Sequence, residues 1–219
     1  AHAVGSVYRN SDPSDVVVTA AGGLVGEAVQ IWKPKEINTF ESEWGFSCMG
    51  YEISGALGMK MAKPDQDFIV FIGDGSYLLQ NSDIYSSVIY EKKLIIIVCD
   101  NGGHMVINRL QLAKGGKEYL CNLKAARASN LLEVDFAAHA KSMGAESETV
   151  TSTSELEAAF LRAKKSNKTY VISIKTDGYE WLEGTAFWES PTLEVSSRDE
   201  NKKAYQEHLE GKNKQRKGV

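Results

Sequence analysis

Two short stretches carry oxygen ligands at the ends of buried-looking strands. In "FIVFIGDGSYLLQ" (68–80) five apolar residues, Phe68 to Ile72, run into Asp74, held between Gly73 and Gly75. In "LIIIVCDNGGH" (94–104) a second apolar run ends in Asp100 and Asn101. A carboxylate oxygen, an amide oxygen and a free backbone carbonyl are hard ligands, suited to Mg²⁺ or Ca²⁺ rather than zinc. Mg²⁺ keeps few protein ligands and commonly bridges to phosphate oxygens. Gly73 and Gly75 let the backbone come close to such phosphates. Ser76 opens a helix whose N-terminal amides favour an anion. Either stretch alone would be read as a tight turn. The pair, each following a buried strand, reads as a metal-bridged diphosphate anchor.

Other chemistries fail on spacing. No Gly-Lys precedes Ser or Thr, as a phosphate-binding P-loop requires. "GDGSYL" has only the first two glycines of a dinucleotide fingerprint. "DGSYLLQ" does not supply alternate oxygen ligands for a calcium loop. "GFSCMG" has Met49 where a nucleophile elbow needs its second glycine. No Cys or His pair has zinc-ligand spacing.

The elements that must position Asp74 and Asn101 follow from apolar patterning. Strands are predicted at Val16 to Val18, 68–72, 94–99 and 169–174. The middle runs are apolar on both parities, as in parallel strands covered on both faces. Helices are predicted over 48–62, where Met49, Ile53, Leu57 and Met61 fall four apart, and over 79–91. "EVDFAAHAKSMG" predicts a helix with Asp135 near its N-cap and Gly144 at its end. "STSELEAAFLRAKK" opens with a capping box, Ser152 and Glu155. The alternation predicts an α/β domain, doubly wound, with a mostly parallel sheet and helices on both faces. In that fold Asp74 and Asn101 sit at the carboxyl ends of two parallel strands, beside a crevice where such sheets bind ligands. The domain is expected over residues 1–179, with 180–219 a polar C-terminal arm or tail.

The chain has 219 residues, 42% of them hydrophobic, enough for one domain with a substantial core. A net charge of −4 gives no footprint for nucleic acid. No apolar run approaches a membrane span, and "AHAVGSVYRN" has no signal-peptide pattern. The sequence opens on Ala1 rather than Met, as a piece of a longer chain would. Cys48, Cys99 and Cys121 are far apart and odd in number, so free thiols in a reducing, cytoplasmic setting are expected.

"GDGS" followed, after residues 76–100, by Asn101 resembles the thiamin diphosphate motif of the acetolactate-synthase-like enzyme superfamily. The resemblance implies thiamin diphosphate and Mg²⁺ as cofactors. It assigns Asp74, the Asn101 side chain and the Gly103 carbonyl to the metal. It turns Gly73, Gly75, Ser76 and the amides near His104 and Met105 towards the diphosphate. "CMGYEISGALGMKMA" resembles the segment preceding that motif. There Met49 would prop the cofactor into a bent shape, and the Ser47 carbonyl would meet the pyrimidine amino group. The same Met49 would also suit an ordinary core position on an amphipathic helix. "INRLQ", "VDFAAHAKSMGA", "TYVISIKTD" and "FWESPTLEVSSR" extend the likeness over most of residues 40–200. They narrow it to a hydrolase family of inositol catabolism that opens a cyclic 1,2-diketone. "NGGHMVIN" departs from relatives that tend to carry Tyr or Phe and a further Gly, which bears on the side chains of His104 and Met105.

By this resemblance the pyrimidine is activated by a glutamate on a separate pyrimidine-binding domain, upstream or in trans, and subunits pair as homo-oligomers. There is little room for such a domain before residue 68. Glu41, Glu43 and Glu52 are read as surface or local structural carboxylates, and the isolated chain is expected to be inactive. A carboligase would share the cofactor motif. A non-catalytic module retaining the fold is a further alternative, separable by cofactor binding.

Overall fold

The structure, a computed structural model, describes residues 1–126, 133–183 and 192–216. Six parallel strands form one sheet in the order β2-β1-β3-β4-β6-β5. They are β1 (Val16–Thr19), β2 (Phe40–Ser42), β3 (Phe68–Gly73), β4 (Ile95–Asp100), β5 (Glu146–Val150) and β6 (Tyr170–Lys175). The central register aligns Ile69 with Ile95 and Gly73 with Cys99. From β1 the chain moves outward to β2, then returns to place β3 on the other side of β1. The strand order therefore reverses between β1 and β3, and the loops beyond their carboxyl ends flank the crevice.

Alternate residues feed two apolar layers. Val17, Ile69, Phe71, Ile95, Ile97 and Ile172 face one, together with Trp32, Leu156 and Phe160. Val16, Val18, Phe68, Val70, Ile72, Ile96 and Val98 face the other, with Ile53, Leu57, Tyr77, Ile84 and Phe136. This accounts for apolar residues on both parities of the central strands. Helices α1 (His2–Arg9), α2 (Gly23–Ile31) and α8 (Thr153–Lys165) cover the first layer. Helices α3 (Tyr51–Ala62), α5 (Asp83–Ile89) and α7 (Phe136–Ser142) cover the second.

The sequence expectations differ from the structure at several element boundaries. The edge strands β2 and β5 escape apolar patterning because "FES" and "ESETV" are mostly polar and half-exposed. The helix expected over 79–91 is the shorter α5, and a separate helix, α4 (Asp74–Leu79), precedes it, parted from it where Gln80 turns extended. Asp74 therefore lies not in a glycine-freed turn but at the first position of α4, and Gly73 has a φ of −79°. Helix α3 starts at Tyr51 rather than 48, so Met49 lies outside it, and Met61 is exposed. The expected caps form on α7 and α8. Asp135 accepts from the Ala138 amide, and Ser152 accepts from the Glu155 amide. The Glu155 carboxylate reaches back to the Thr151 N–H at 2.7 Å, one residue beyond the usual capping-box partner.

The segment after β6 crosses α6 (Met105–Ala113) and is held there by Trp181, which stacks 4.1 Å from the Arg109 guanidinium. The polar C-terminal stretch forms α9 (Asp199–Lys214), whose Asn201 side chain donates to the Lys114 carbonyl at 2.6 Å. Of "FWESPTLEVSSR", residues 187–191 lie outside the described residues. No helix among the described residues is long and apolar enough to cross a membrane.

Candidate functional site

Strand β3 ends at Gly73 and strand β4 at Asp100, as parallel neighbours, so Asp74 and Asn101 are delivered side by side. The terminal atom of the Asn101 amide lies 2.9 Å from the Gly103 carbonyl oxygen and 3.2 Å from Asp74 Oδ1. With the amide nitrogen in that place, it donates to both. With the amide oxygen there, three oxygens converge. An octahedron with arms of about 2.1 Å has ligand oxygens about 3 Å apart along its edges. The donor set and spacing therefore fit a small divalent cation.

The electrostatics point the same way. Asp74 is only 3% exposed. Burial pushes its carboxyl above the usual value and the neighbouring Asp100 adds to this, while the amides of Gly103, Asn101 and Gly75 pull it back. The Gly103 N–H donates to Asp74 Oδ2 at 2.7 Å. Asp100 is itself buried, accepts from the Gly102 N–H and is paired with Lys175 at 2.7 Å. Among the described residues no ion pair reaches Asp74, and its environment raises the cost of its charge.

Close backbone packing shapes the loop that carries Asn101 and Gly103. Gly103 has a φ of 138°, and a Cβ there would collide with the Cys121 carbonyl oxygen. The same carbonyl accepts the His104 N–H at 2.8 Å. The Leu123 N–H in turn donates to the Gly102 carbonyl, so residues 102–104 are fastened to 121–123. The His104 amide is thus engaged within the protein, and the diphosphate contact expected of it is not available in this arrangement. Its imidazole instead covers Gly75, where a Cβ would lie 2.6 Å from the ring. Gly75 is needed for that close approach rather than for a left-handed turn. Met105 begins α6, so its amide belongs to a first turn without intrahelical acceptors. Ser76 is buried in α4.

The turn that carries Ser47 and Met49 lies beside the same helix. Gly50 packs so closely on Gln80, at the end of α4, that no Cβ could be accommodated. Ser47 is exposed with a φ of 52°, and Met49 is half-buried, outside both core layers. Met49 therefore does not occupy the core-helix position its spacing also allowed. Glu43 caps this turn locally through the Phe46 and Cys48 amides, and Glu41 sits half-buried in β2. One flank of the crevice went unread in the sequence, the "AAGG" loop between β1 and α2. Its signal was available as a β-branched run ending in two glycines before a helix. Gly22 there has a φ of 78° and approaches Val106 of α6.

A family model described as "Thiamine pyrophosphate enzyme, C-terminal TPP binding domain" matches residues 20–174. The chain belongs to that family. The matched span includes the β1–α2 loop, Asp74, Asn101 and Gly103. Curated relatives include the 3D-(3,5/4)-trihydroxycyclohexane-1,2-dione hydrolase of Halalkalibacterium halodurans. It is 38% identical over 207 residues, covering 92% of this chain and 32% of that protein. The enzymes of the same name from Lacticaseibacillus casei and Bacillus subtilis are 37% and 36% identical, over 94% and 89% of this chain. The chain spans about a third of the length of the curated relatives it matches. Among solved structures, benzoylformate decarboxylase from Polynucleobacter necessarius superposes with a TM-score of 0.67 at 21% identity, over 81% of this chain and 33% of that one. The thiamine diphosphate-dependent 4-hydroxybenzoylformate decarboxylase of Rhodococcus jostii gives 0.66 at 19%, over 80% and 32%. At these identities the likeness is one of fold.

Proposed function

We propose that this chain is the Mg²⁺- and thiamin diphosphate-binding part of an enzyme that hydrolytically opens a cyclic 1,2-diketone of the trihydroxycyclohexanedione type, in inositol catabolism. The observation that carries the cofactor reading is the Asn101 amide lying within about one octahedral edge of both Asp74 Oδ1 and the Gly103 carbonyl oxygen. The substrate reading rests on the likeness to the hydrolases over most of this chain.

In this reading Asp74, Asn101 and Gly103 hold the metal, and Asp74 brings the negative charge that the cation offsets. Gly73, Gly75, Ser76 and the first-turn amide of Met105 face the diphosphate, with the His104 ring beside it. The Ser47 carbonyl and the Met49 side chain would hold the pyrimidine. Thiamin diphosphate, when bound, supplies a carbon nucleophile and an electron sink for C–C bond cleavage. This chain orients that chemistry and keeps the diphosphate end in place. The glutamate that activates the pyrimidine comes from a pyrimidine-binding domain outside these residues. Glu52 and Glu43 are spent on backbone amides of this domain. The working enzyme is a cytoplasmic homo-oligomer, and this chain alone is inactive.

Ring opening is assayed with thiamin diphosphate and Mg²⁺, using this chain with and without a pyrimidine-binding domain, and with pyruvate or glyoxylate as competing substrates. Turnover of the diketone only in the presence of that domain is the expected result. Full turnover by these residues alone would refute the two-domain reading, and preference for pyruvate or glyoxylate would favour a carboligase.

A further inference from the structure

Glu52 lies in the first turn of α3 and has no exposed surface. Its Oε2 accepts the Gly50 N–H at 2.7 Å, and its Oε1 accepts the Ala21 N–H at 3.2 Å. Burial pushes its carboxyl up. What pulls it back is the amides of Glu52 itself, Gly50 and Ala21 and the Ser76 hydroxyl, with no cation among them. Each of these donors belongs to a segment that borders the crevice. Ala21 precedes the glycines that start α2, Gly50 follows Met49, and Ser76 lies two residues beyond Asp74. A carboxylate is an acceptor only, and its charge strengthens each bond it accepts. One side chain thus ties the β1–α2 loop to the Met49 turn, whose Gly50 packs on Gln80 at the end of α4.

We propose that Glu52 is a positioning residue for the cofactor crevice, holding the β1–α2 loop and the Met49 turn at a set distance from the anchoring helix α4. The proposal rests on the Mg²⁺–thiamin diphosphate reading above. A site whose supporting groups are displaced by a fraction of an ångström loses binding even when its ligands are intact. Removing the Glu52 acceptor leaves Asp74 and Asn101 in place but releases the two walls opposite them.

The test is an NMR titration of the 219-residue chain with thiamin diphosphate, with and without Mg²⁺. It compares wild type, Asp74→Ala, Glu52→Gln and Ser152→Ala, alongside amide hydrogen exchange and melting of the ligand-free proteins. A glutamine keeps one acceptor oxygen and turns an N–H towards the other backbone amide, which is left unpaired. Glu52→Gln should weaken Mg²⁺-dependent binding by roughly tenfold, equivalent to about 1.4 kcal/mol. Exchange at Ala21 and Gly50 should quicken. Ser152→Ala removes a helix cap at the far edge of the sheet, lowering stability while leaving cofactor affinity unchanged. Should Glu52→Gln not fold, Glu52→Asp, too short to reach both amides, serves in its place. Wild-type affinity in the Glu52 variant, or a loss no greater than in Ser152→Ala, overturns the positioning role. No Mg²⁺-dependent binding by wild type, or undiminished binding by Asp74→Ala, overturns the cofactor reading itself and this role with it. The two failures are therefore told apart by the Asp74 control.

Discussion

The two ends of the parallel sheet handle buried carboxylates in opposite ways. At the amino end, Asp15 and Asp67 precede β1 and β3, and Lys164 bridges Asp12, Asp15 and Asp67 at 2.6–3.0 Å. Lys93, just before β4, adds a second contact to Asp67 at 3.2 Å. Burial pushes Asp15 up, but the lysines hold Asp67 below its ordinary value even though it too is desolvated. At the carboxyl end, Asp74, Asp100 and Glu52 are buried, and among the described residues Lys175 is paired with Asp100. There burial leaves both Asp74 and Glu52 raised. Charge that is neutralised within the chain stabilises the fold. Charge left unneutralised costs stability and creates demand for a cation. The contrast separates the pole that holds the domain together from the pole proposed to bind the cofactor.

The largest expected effect lies at the carboxyl pole. Asp74→Ala should abolish Mg²⁺-dependent thiamin diphosphate binding while the ligand-free domain stays folded, as calorimetry and circular dichroism would show. Undiminished affinity would remove Asp74 from the metal site. The amino pole should respond in the opposite manner. Lys164→Met leaves three carboxylates facing one another and should cost about 2–4 kcal/mol in denaturant unfolding, somewhat less than a fully buried pair because Asp12 is solvated. Cofactor affinity should be unchanged in the folded protein. Loss of affinity without loss of stability would break the division between the poles.

A smaller effect sharpens the comparison. Asp74→Asn keeps an acceptor for the Gly103 N–H but removes the buried charge, so the ligand-free chain should be more stable by about 1 kcal/mol near neutral pH. The sign follows from the raised carboxyl. Ionised Asp74 costs stability above its folded-state pKa, and that cost fades as pH falls through this pKa towards the ordinary value of 3.8. The variant's advantage should therefore shrink in acid, and a constant advantage at all pH values would contradict it. Asp67 has the opposite sign. Its depressed carboxyl contributes stability above 3.8 that is lost as pH falls below it.

The smallest effect on the fold is expected at Met49. Because it is half-buried and outside α3, Met49→Gly should shift stability by less than about 1 kcal/mol, well short of the roughly 2–5 kcal/mol of a buried methionine. Turnover of the complete enzyme should fall with Gly and be retained with Leu. Parallel melting and rate measurements decide, and a large melting loss would return Met49 to a packing role.

Much of this was open to reading in the residues themselves. The four inner strands are legible because burial on both faces demands apolar residues at every position, which leaves an uninterrupted signature. The Asp74–Asn101 pairing is legible because a strand, a crossover and a second parallel strand must bring two consecutive strand ends together. β2 and β5 are not legible. At a sheet edge, backbone pairing with one neighbour suffices, and no side-chain pattern is imposed. Nor are the close contacts of Gly75 under His104 and of Gly50 on Gln80, near the starts of α4 and α3, legible, because they join segments about 30 residues apart. Only the tertiary structure decided which carboxylates are buried and what faces them. Glu52 looks like any helix-surface glutamate until the Ala21 amide, 31 residues away, is brought against it. Lys164 looks like a solvated lysine in the last turn of an amphipathic helix until the fold sets it against Asp15, 149 positions earlier. A carboxylate's chemistry is local, but its solvation and its partners are set by segments remote in sequence, and these decide whether it serves as an ion pair, a brace or a metal ligand.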